Sequence, residues 1–408
     1  MKRLMTLAVA LCLIAGCGGD SGSDGVHITF WQFWTSPDVK PAIEGLIKNY
    51  ESANPGVTVD LVDLTWSDGH EKIVVAFSTG TAPDVVELGS DWVIEFAEKG
   101  VLADVSRHYD TLRDSLIMWE PATIGDSVYA FPWLLGTRAL FTNLDLLKDA
   151  GIDAIPSIMT WDDLLHFSKA VSSLGEPYAG FGSNSAERHR LYKKFLPFLW
   201  SNGGRILSAD GMACELSSDE AIAALEYYVK LSDAGHMDTQ RGLEERFLAG
   251  ELGFVISGDW MLRNIRSQRI DFEIASSVIP VPDTTATPVS FAGGEYLAVN
   301  QESEHIEETI RFARFMTSAD ANLVFARAVG SPTPANREAA NRVSESAEPL
   351  AKAFLDQIAT AQSPPSHPEW VYIEEILEKA VEKAIYHKLD ARDALQEATD
   401  DINQILGH

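Results

Sequence analysis

The chain has 408 residues, of which 32 are Lys or Arg and 60 are Asp or Glu, so its formal net charge at pH 7 is −28. Such an acidic surface repels nucleic acid and anionic lipid head groups, and we therefore expect no nucleic-acid partner. The length is enough for two domains, and the hydrophobic fraction of 46% is normal for a globular protein.

Residues 1–16 have the layout of a secretion signal. Lys2 and Arg3 precede an apolar run from Leu4 to Leu13, which is too short to span a bilayer as a helix. The sequence LIAGC that follows resembles the lipobox of bacterial lipoproteins, in which the cysteine, here Cys17, becomes the lipidated first residue of the mature chain. An ordinary signal peptide with an incidental cysteine is the alternative.

A Gly-, Ser- and Asp-rich tether at 17–25 follows, and it predicts a folded part that is held just outside a membrane. Loss of the signal peptide leaves 30 basic and 60 acidic residues, a net charge of −30. Cys12 leaves with the signal and Cys17 carries lipid, so the folded part retains only Cys214 and has no intramolecular disulfide. We predict that Cys214 is a small buried residue and not a nucleophile.

Strand and helix patterns alternate from Val26 onward. Val26, Ile28 and Phe30 have the spacing of a strand, and the segment that follows has apolar residues at helical spacing and ends at Asn-Pro-Gly. Short joints between strands and helices predict parallel strands with right-handed crossovers. In chain order, the predicted elements of this half are a helix at 39–56, a strand at 57–64, a helix at 68–81, a strand at 82–88 and a helix at 91–100.

Each of the three predicted strands is followed by a segment that contains tryptophan beside small polar or acidic residues. These segments are WQFWTSPD at 31–38, TWSDGH at 65–70 and GSDWV at 89–93. Ligands bind beyond the carboxyl ends of the strands in such sheets, so we expect the three segments to meet along one edge and to form part of a cleft. For each segment taken alone, the alternative is that its tryptophan lies in the hydrophobic core.

The pattern restarts near Thr137, which predicts a second lobe. A capping box is expected from Thr160 to Asp163 and another from Ser217 to Glu220, and Pro197 is expected to bend its helix. The predicted elements are a strand at 137–143, helices at 144–152, 160–176, 186–204 and 217–235, a strand, turn and helix start at 250–265, strands at 272–282 and 293–300, and helices at 307–316, 369–389 and 390–406.

The sequence allows two classes of protein, an enzyme and a binding protein. The chain has no nucleophile elbow, Walker loop or zinc-protease motif, and its ten histidines lack metal-ligand spacing, so we expect neither a cofactor nor a metal. A pair of carboxylates that acts as in a glycosidase stays open, because their separation in space cannot be read from the sequence. The chain is rich in recognition residues and poor in catalytic motifs, which favours binding without catalysis.

Aromatic edges combined with carboxylates, amides and arginines suit a sugar. A flat aromatic ring covers the apolar face of a sugar ring, while Asp, Glu, Asn, Gln and Arg side chains hydrogen-bond to the hydroxyl groups. A neutral polar ligand needs no strongly charged pocket, which agrees with the absence of a basic motif. We therefore predict a carbohydrate as the ligand.

The order of features resembles that of the extracellular solute-binding proteins of bacterial ABC importers, in the group that includes maltose-binding protein. ITFWQFW is similar to the first strand of the family. The segment at 76–106 is similar to its GxxPDV motif, polar ligand loop and GxLxxL motif, and ALFTNLDLLKDAGI and TWDDL resemble the part after the first hinge. GELGFVISGDWMLRNI and EYLAVN are similar to a second-lobe strand and turn and to the return to the first lobe.

The resemblance implies an α/β, two-lobed periplasmic-binding-protein-like fold, in which each lobe is a mostly parallel sheet flanked by helices and the ligand lies in a cleft between the lobes. We expect lobe 1 at 26–137 plus 286–332 and lobe 2 at 138–285 plus 333–408. Hinge motion would close the lobes on the ligand, and membrane permease subunits would recognise the closed form. We expect a monomer.

The resemblance also implies the ligand contacts. Phe30, Trp31 and Phe33 are expected in the core or the cleft wall, and for Asn184, His189 and Trp200 the alternative is a polar helix surface or core packing. The predicted ligand-binding residues are Gln32, Trp34, Trp66, Asp68, Ser90, Asp91, Trp92, Trp133, Arg138, Asn184, His189, Asp259, Trp260, Gly293, Gly294, Glu295 and Trp370.

The chain departs from maltose-binding protein in its ligand loop, which reads GSDWV where arginine is common. Maltose itself is therefore not expected, and another mono- or oligosaccharide, a polyol or a glycoside stays open. A non-sugar solute such as an amino acid or a polyamine is the alternative. For an amino acid, Arg138 could pair with the ligand carboxylate.

Overall fold

The computed structural model describes residues 25–407, except residues 332 and 346. The predicted signal peptide at 1–16, the lipidated Cys17 and most of the predicted tether lie outside the described residues. Among the helices that are described, none combines the length and the hydropathy needed to cross a membrane.

The strands are short, and most of their residues are buried. In chain order they are β1 Val26–Gln32, β2 Val57–Asp63, β3 Val85–Gly89, β4 Thr123–Ile124, β5 Ser127–Val128, β6 Ala130–Gly136, β7 Ala139–Asn143, β8 Ala179–Asn184, β9 His236–Asp238, β10 Leu252–Ser257, β11 Ile274–Ser277 and β12 Gly293–Val299.

The helices cover the sheets, and two single 3₁₀ turns occur at Glu120–Ala122 and Pro349–Ala351. The helices are α1 Lys40–Ala53, α2 Gly69–Thr79, α3 Val93–Glu98, α4 Ser106–Leu112, α5 Leu144–Asp149, α6 Trp161–Ser172, α7 Tyr192–Ser201, α8 Asp219–Asp233, α9 Gln240–Leu248, α10 Trp260–Ser267, α11 Ile306–Met316, α12 Ala319–Val329, α13 Arg337–Ser344, α14 Lys352–Ile358, α15 Trp370–Ile385 and α16 Ala391–Ile405.

Two five-stranded sheets form the framework, with strand orders β2-β1-β3-β12-β6 and β11-β7-β10-β8-β9. The expected α/β fold with two helix-flanked sheets is confirmed. Each sheet is more mixed than expected, since it has two parallel and two antiparallel pairs. In the first sheet, β6 leads the chain towards the second sheet and β12 brings it back, so these two neighbours must run in opposite directions.

Each sheet has its own apolar core on both faces. The first sheet packs against α1, α11 and α12 on one face and against α2 and α3 on the other. The second sheet packs against α6, α7, α8, α15 and α16 on one face and against α9, α10 and α14 on the other. The sequence bounds expected for the two lobes stay a prediction.

Of the two capping boxes predicted at helix starts, one is confirmed and one is wrong. Thr160 and Asp163 form the expected capping box of α6. The expected box at Ser217 is wrong, because Ser218 is the capping residue of α8 and its hydroxyl accepts the N–H of Ala221. Alanine at that position has no side chain with which to close a box.

The helix expected at 186–204 begins only at Tyr192, with Pro197 inside it. His189 has a positive φ of 64°, which interrupts a right-handed helix. The backbone N–H groups of His189 and Arg190 instead donate to the Glu378 carboxylate, at 3.1 and 2.9 Å. A side chain from α15 therefore replaces the hydrogen bonds that an earlier helical turn would have supplied.

Cys214 is buried and free, as expected for a structural cysteine. Its sulfur lies 3.9 Å from the Thr399 hydroxyl, and burial raises the pKa of the thiol. A protonated, buried thiol is a poor nucleophile.

Candidate functional site

The three tryptophan-containing segments meet at one edge of the first sheet. β1 lies between β2 and β3 and is parallel to both, so the carboxyl ends of the three strands lie side by side. Phe33 stacks on Trp66 with ring centroids 4.1 Å apart, and Trp92 lies 5.4 Å from Trp66. The expected meeting of these segments is confirmed, and they form an aromatic wall of Phe33, Trp34, Trp66 and Trp92.

Two buried polar side chains fix the loop that carries this wall. The Gln32 amide accepts the backbone N–H of Trp34 at 2.5 Å and donates to Asp63 at 2.7 Å. The Glu87 carboxyl accepts the backbone N–H of Phe33 at 2.7 Å. Burial, and then the charge of Glu295, raise the pKa of Glu87 well above its usual range. Gln32 therefore supports the aromatic loop from beneath and does not itself line the cavity.

The opposite wall comes from the turn after β10. The Trp260 indole N–H donates to the Glu244 carboxylate at 2.6 Å, and that carboxylate also accepts the Ser257 hydroxyl at 2.6 Å. A Cβ atom on Gly258 would lie 2.0 Å from the Trp260 ring, so only glycine allows the ring to lie over this turn. The half-buried indole is thereby held at a defined position.

A cavity of about 360 Å³ lies between these two walls. This volume falls in the range of small-molecule sites, roughly 300–1,000 Å³. Seven of the predicted ligand contacts line it, namely Trp34, Trp66, Trp92, Arg138, His189, Trp260 and Glu295. The other lining residues are Phe33, Thr35, Ser36, Arg188, Arg190, Lys193, Lys194, Gln240 and Arg263.

Arg138 lies on the short segment between β6 and β7, which joins the two sheets, and Glu295 lies near the start of β12 in the first sheet. The guanidinium of Arg138 is buried beside the Trp260 ring, 4.9 Å from its centroid. Burial, and then the negative charge of Asp259, raise the pKa of Glu295 to about 8, although Arg138 opposes this shift. At neutral pH the Glu295 carboxyl is therefore mostly protonated and can donate a hydrogen bond.

Asp91 joins the loop after β3 to α7, and so links the first sheet to a helix of the second. Its carboxylate accepts the Tyr192 hydroxyl at 2.7 Å and pairs with the Lys193 ammonium at 3.1 Å. Burial acts to raise the pKa of Asp91, but Lys193 and Tyr192 outweigh burial and lower it. Asp91 is thus ionised and engaged in a contact between the two halves, and it does not line the cavity.

His189 lines the cavity from the loop before α7, while the neighbouring prediction Asn184 does not. The His189 ring shares a short hydrogen bond with Glu374, and burial lowers the histidine pKa. Burial, and then the charge of Asp91, raise the pKa of Glu374 to about 8. Asn184 is buried at the end of β8, where its amide lies 3.5 Å from the Glu187 carboxylate.

Trp133 and Trp370 require correction, because both pack in the core. Trp133 is fully buried and stacks on Phe325, with ring centroids 4.0 Å apart. Trp370 is 2% exposed at the start of α15 and packs edge-on against Tyr192 at 5.7 Å. Trp200 also belongs to the core of the second sheet. Neither Trp133 nor Trp370 lines the cavity, so neither ring can contact a ligand there.

Five further predicted contacts also lie outside the cavity lining. Asp68 is half exposed and pairs with Lys72 on α2. The buried Asp259 carboxyl accepts the Ser331 hydroxyl. Close packing explains both glycines of β12, because a Cβ on Gly294 would lie 2.2 Å from the Leu134 carbonyl and one on Gly293 would meet the Phe291 ring. Ser90 is buried beside Asp91 and Trp370.

The sequence interpretation missed five basic residues of the cavity. Four of them, Arg188, Arg190, Lys193 and Lys194, come from the single stretch RHRLYKK at 188–194, and Arg263 comes from α10. A concentration of five basic side chains, His189 included, within seven residues of a strongly acidic chain was a readable signal. The sequence analysis assigned this stretch only to the helix predicted at 186–204.

The arrangement suits recognition of a small polar molecule. Aromatic rings offer flat apolar contacts, while the guanidinium, ammonium and carboxyl groups offer directional hydrogen bonds. Among the described residues, no group of three or more His, Cys, Asp or Glu side chains could hold a metal ion.

Comparisons with known proteins agree on one family. The family model described as bacterial extracellular solute-binding protein matches residues 34–323, more than two thirds of the chain. The diacetylchitobiose-binding protein of Streptomyces coelicolor is 27% identical over 413 residues, covering 92% of this chain and 91% of that protein. The maltodextrin-binding protein of Bacillus subtilis is 23% identical over 418 residues, covering 98% and 95%.

A solved structure has the same fold. An ABC transporter solute-binding protein from Thermotoga lettingae, bound to α-D-tagatose, superposes with a TM-score of 0.84 at 22% identity. The match covers 93% of this chain and 100% of that one. The two-lobed architecture is therefore shared over nearly the whole described chain.

Proposed function

The chain belongs to the bacterial extracellular solute-binding proteins, and from this premise we propose that its cavity captures a short saccharide for import by an ABC transporter. The observation that carries this proposal is the pair of aromatic walls, with Trp34 and Trp66 on one side, backed by the 2% exposed Trp92, and Trp260 on the other. Aromatic rings on both sides suit the two apolar faces of a sugar ring. The cavity volume favours a mono- or disaccharide over a long chain.

The names of the relatives support a carbohydrate. Two of them are named for diacetylchitobiose and for maltodextrin, and the solved structure holds the monosaccharide tagatose. The ligand loop of this chain differs from the maltose pattern, so we propose a different sugar. The seven predicted contacts that line the cavity are the residues we assign to ligand binding.

A polyamine fits this cavity poorly. Six cationic side chains line it but only one carboxyl group, so the lining offers an ammonium ligand little negative charge. An amino acid remains the non-sugar competitor, since Arg138 could bind its carboxylate.

We further propose that the mature chain is a monomer, is anchored through lipid on Cys17 and delivers its ligand to membrane permease subunits. The sequence LIAGC and the polar stretch after it support the anchor. The lipid would keep the protein near the permease, and the tether at 17–25 would allow the protein to turn towards the permease.

The test separates binding from turnover. The purified protein is titrated with a panel of mono- and disaccharides in a calorimeter, and the ligand is then recovered by denaturing the complex. We expect a saturable heat with at least one sugar and recovery of that sugar unchanged. New reducing ends that disappear when one carboxylate is mutated would instead identify a glycosidase.

A further inference from the structure

The charge of the cavity is opposite to that of the chain. The chain as a whole carries a formal net charge of −28, yet the described lining residues include six cations and one carboxyl group. Neutral sugars are bound through hydrogen bonds and aromatic contacts, which do not require this concentration of positive charge.

Three of the six cations are already neutralised by the protein. Arg188 pairs with Glu71 at 3.2 Å, Arg190 pairs with Glu187 at 3.1 Å, and Lys193 pairs with Asp91 at 3.1 Å. These pairs account for their positions without a ligand. Among the described residues, no carboxylate lies within 4.0 Å of the remaining three cations, which are Arg138, Lys194 and Arg263.

Arg138 is the most deeply buried of the cavity arginines, with 8% of its surface exposed. One terminal nitrogen donates to the Thr137 carbonyl at 2.9 Å, but the buried Nε has no hydrogen-bond partner. Its guanidinium carbon lies 4.9 Å from the Trp260 ring and 5.1 Å from the Phe291 ring. A buried, incompletely bonded guanidinium is costly unless an acceptor reaches it.

Lys194 adds a second buried charge at the same place. It is 4% exposed, its ammonium donates to the Ile256 carbonyl at 3.0 Å, and it lies 5.7 Å from the same Trp260 ring. Burial, and then the charge of Arg138, lower the pKa of Lys194 well below its usual range. Burial and the Arg138 guanidinium thus disfavour the charged form of Lys194, and an anionic ligand would favour it.

The nearby acids do not remove this excess. Asp259 accepts the Ser331 hydroxyl and a longer contact from Thr333, and burial raises its pKa. Glu295, whose pKa is about 8, is mostly protonated at neutral pH. Glu244 is bonded to Trp260, Ser257 and Gln240. Asp259 and Glu295 offset part of the Arg138 charge, but burial outweighs them and lowers the pKa of Arg138, so the positive charge beside Trp260 is only partly compensated.

We propose that the saccharide carries an anionic group, a carboxylate or a phosphate or sulfate ester, which binds to Arg138 and Lys194 beside Trp260. The proposal rests on the function proposed above, because it specifies the class of sugar that the same cavity takes. The planar guanidinium of Arg138 matches two oxygens of a carboxylate or of a phosphate or sulfate ester. The amino group of Lys194 supplies a further hydrogen-bond donor. Arg263, whose guanidinium lies 3.5 Å from the Ser36 hydroxyl, lines the same cavity.

The experiment compares sugars that differ only in charge. Calorimetry on the purified protein would use D-galacturonate against D-galactose, digalacturonate against its neutral disaccharide, and D-glucose 6-phosphate against D-glucose. We expect at least one acidic member to bind about tenfold or more tightly than its neutral partner, the difference made by one charge-assisted hydrogen bond. Its affinity should also fall as salt is added, because ions screen the attraction.

Variants assign the preference to the two cations. Arg138→Gln and Lys194→Met each remove one charge with little change in size, and each should reduce the preference for the acid by about tenfold. Arg392→Gln is the control, because Arg392 is an exposed arginine of α16 that pairs with Asp219 and does not line the cavity. Arg392→Gln also removes one positive charge, and it should leave the preference for the acid unchanged. Circular dichroism verifies folding, and if Arg138→Gln fails to fold, Lys194→Met alone decides whether this cluster carries the preference for the acid.

Each outcome separates this inference from the proposed function. Tight binding of neutral sugars with no preference for their acids would overturn the inference and leave the proposed function intact. A preference that survives both Arg138→Gln and Lys194→Met would also overturn it. L-glutamate and inorganic phosphate are titrated beside the sugars, and binding of either one with no sugar bound would overturn the saccharide in both proposals. No binding by any member of the panel would contradict both.

Discussion

Two tryptophans with the same predicted role have different surroundings at the residue scale. Trp260 is half buried, faces the cavity and is held through its N–H by Glu244. Trp133 has no exposed surface and is covered by Phe325. Exposure decides what each ring can contribute, since a covered ring stabilises the fold and an accessible ring can contact a ligand.

Replacing each ring by alanine should separate binding from stability. Trp260→Ala should weaken ligand binding by about 1–3 kcal/mol, the contribution of a flat apolar platform, and change the melting temperature little. Trp133→Ala should lower the free energy of unfolding by about 3–5 kcal/mol, because it leaves a large cavity in the core. Calorimetry and thermal melting measure the two quantities. A large loss of stability in Trp260→Ala with unchanged affinity would place that ring in the core.

Glu374 predicts a pH dependence of stability. Burial raises its pKa from an ordinary 4.5 to about 8, so the folded state binds a proton more tightly than the unfolded state does. The stabilisation by the protonated carboxyl is fully present below pH 4.5 and is lost as the pH rises towards about 8. Glu374→Gln keeps the site neutral, so the variant should become more stable than the wild type as the pH rises from about 5 to 9.

Thermal melting across this pH range checks the sign. Glu375→Gln on the same helix is the matched control, because Glu375 is partly exposed and the hydrogen bond from Lys379 lowers its pKa. This control should not reproduce the gain at high pH. Parallel melting curves for the wild type and Glu374→Gln at every pH would show that Glu374 is not protonated in the folded protein.

At the element scale, β12 approaches β6 so closely that one position excludes a side chain. A Cβ on Gly294 would lie 2.2 Å from the backbone oxygen of Leu134, which cannot move without distorting the sheet. Gly294→Ala should therefore destabilise the protein and disturb Glu295 next to it. Gly45 in α1 has no atom within 4 Å of its Cβ position, so Gly45→Ala should stabilise the helix by about 0.5–1 kcal/mol.

Denaturant unfolding of the two alanine variants measures this contrast. The change in the free energy of unfolding should have opposite signs in the two variants, since the space around the added methyl group differs. Equal stability of Gly294→Ala and the wild type would mean that the two strands are not held at this distance.

Much of the first sheet was predictable, because strands and helices there alternate with clear spacing and short joints. The structure also contains β6 and β8, which the sequence interpretation did not assign as strands. β6 contains Pro132, and its register with β12 shifts between Glu295 and Tyr296. β8 has two glycines and two polar residues among its six, so it lacks the β-branched residues that indicate a strand. Tertiary packing, and not local propensity, determines both strands.

At the scale of the whole molecule, Asp91 connects the two halves through Tyr192 and Lys193. Asp91→Asn removes the charge of a buried ion pair and leaves Lys193 without its carboxylate. The variant should favour a more open molecule, with a larger radius of gyration in solution and weaker ligand binding. Asp219→Asn, at the exposed pair with Arg392, is the control and should change neither quantity. An unchanged radius and affinity in Asp91→Asn would show that this contact does not hold the halves together.

The sequence could not predict which basic side chains of the site lack a carboxylate partner. Arg138 lies between β6 and β7 while Lys194 lies in α7, and only the folded chain brings both beside Trp260. Three other basic side chains of the cavity carry internal partners, so their number alone overstates the charge offered to a ligand. Aromatic residues were easier to assign, because they directly follow strands whose direction the sequence pattern indicates.

The most direct test of the proposed function is the melting temperature of the wild type and of Trp260→Ala across sugars, sugar acids, polyols, amino acids and polyamines. A ligand that binds only the native state raises the melting temperature, by mass action. We expect a clear rise with at least one saccharide for the wild type, and a much smaller rise with that saccharide for Trp260→Ala. A rise with an amino acid or a polyamine and with no carbohydrate would contradict a sugar-binding function.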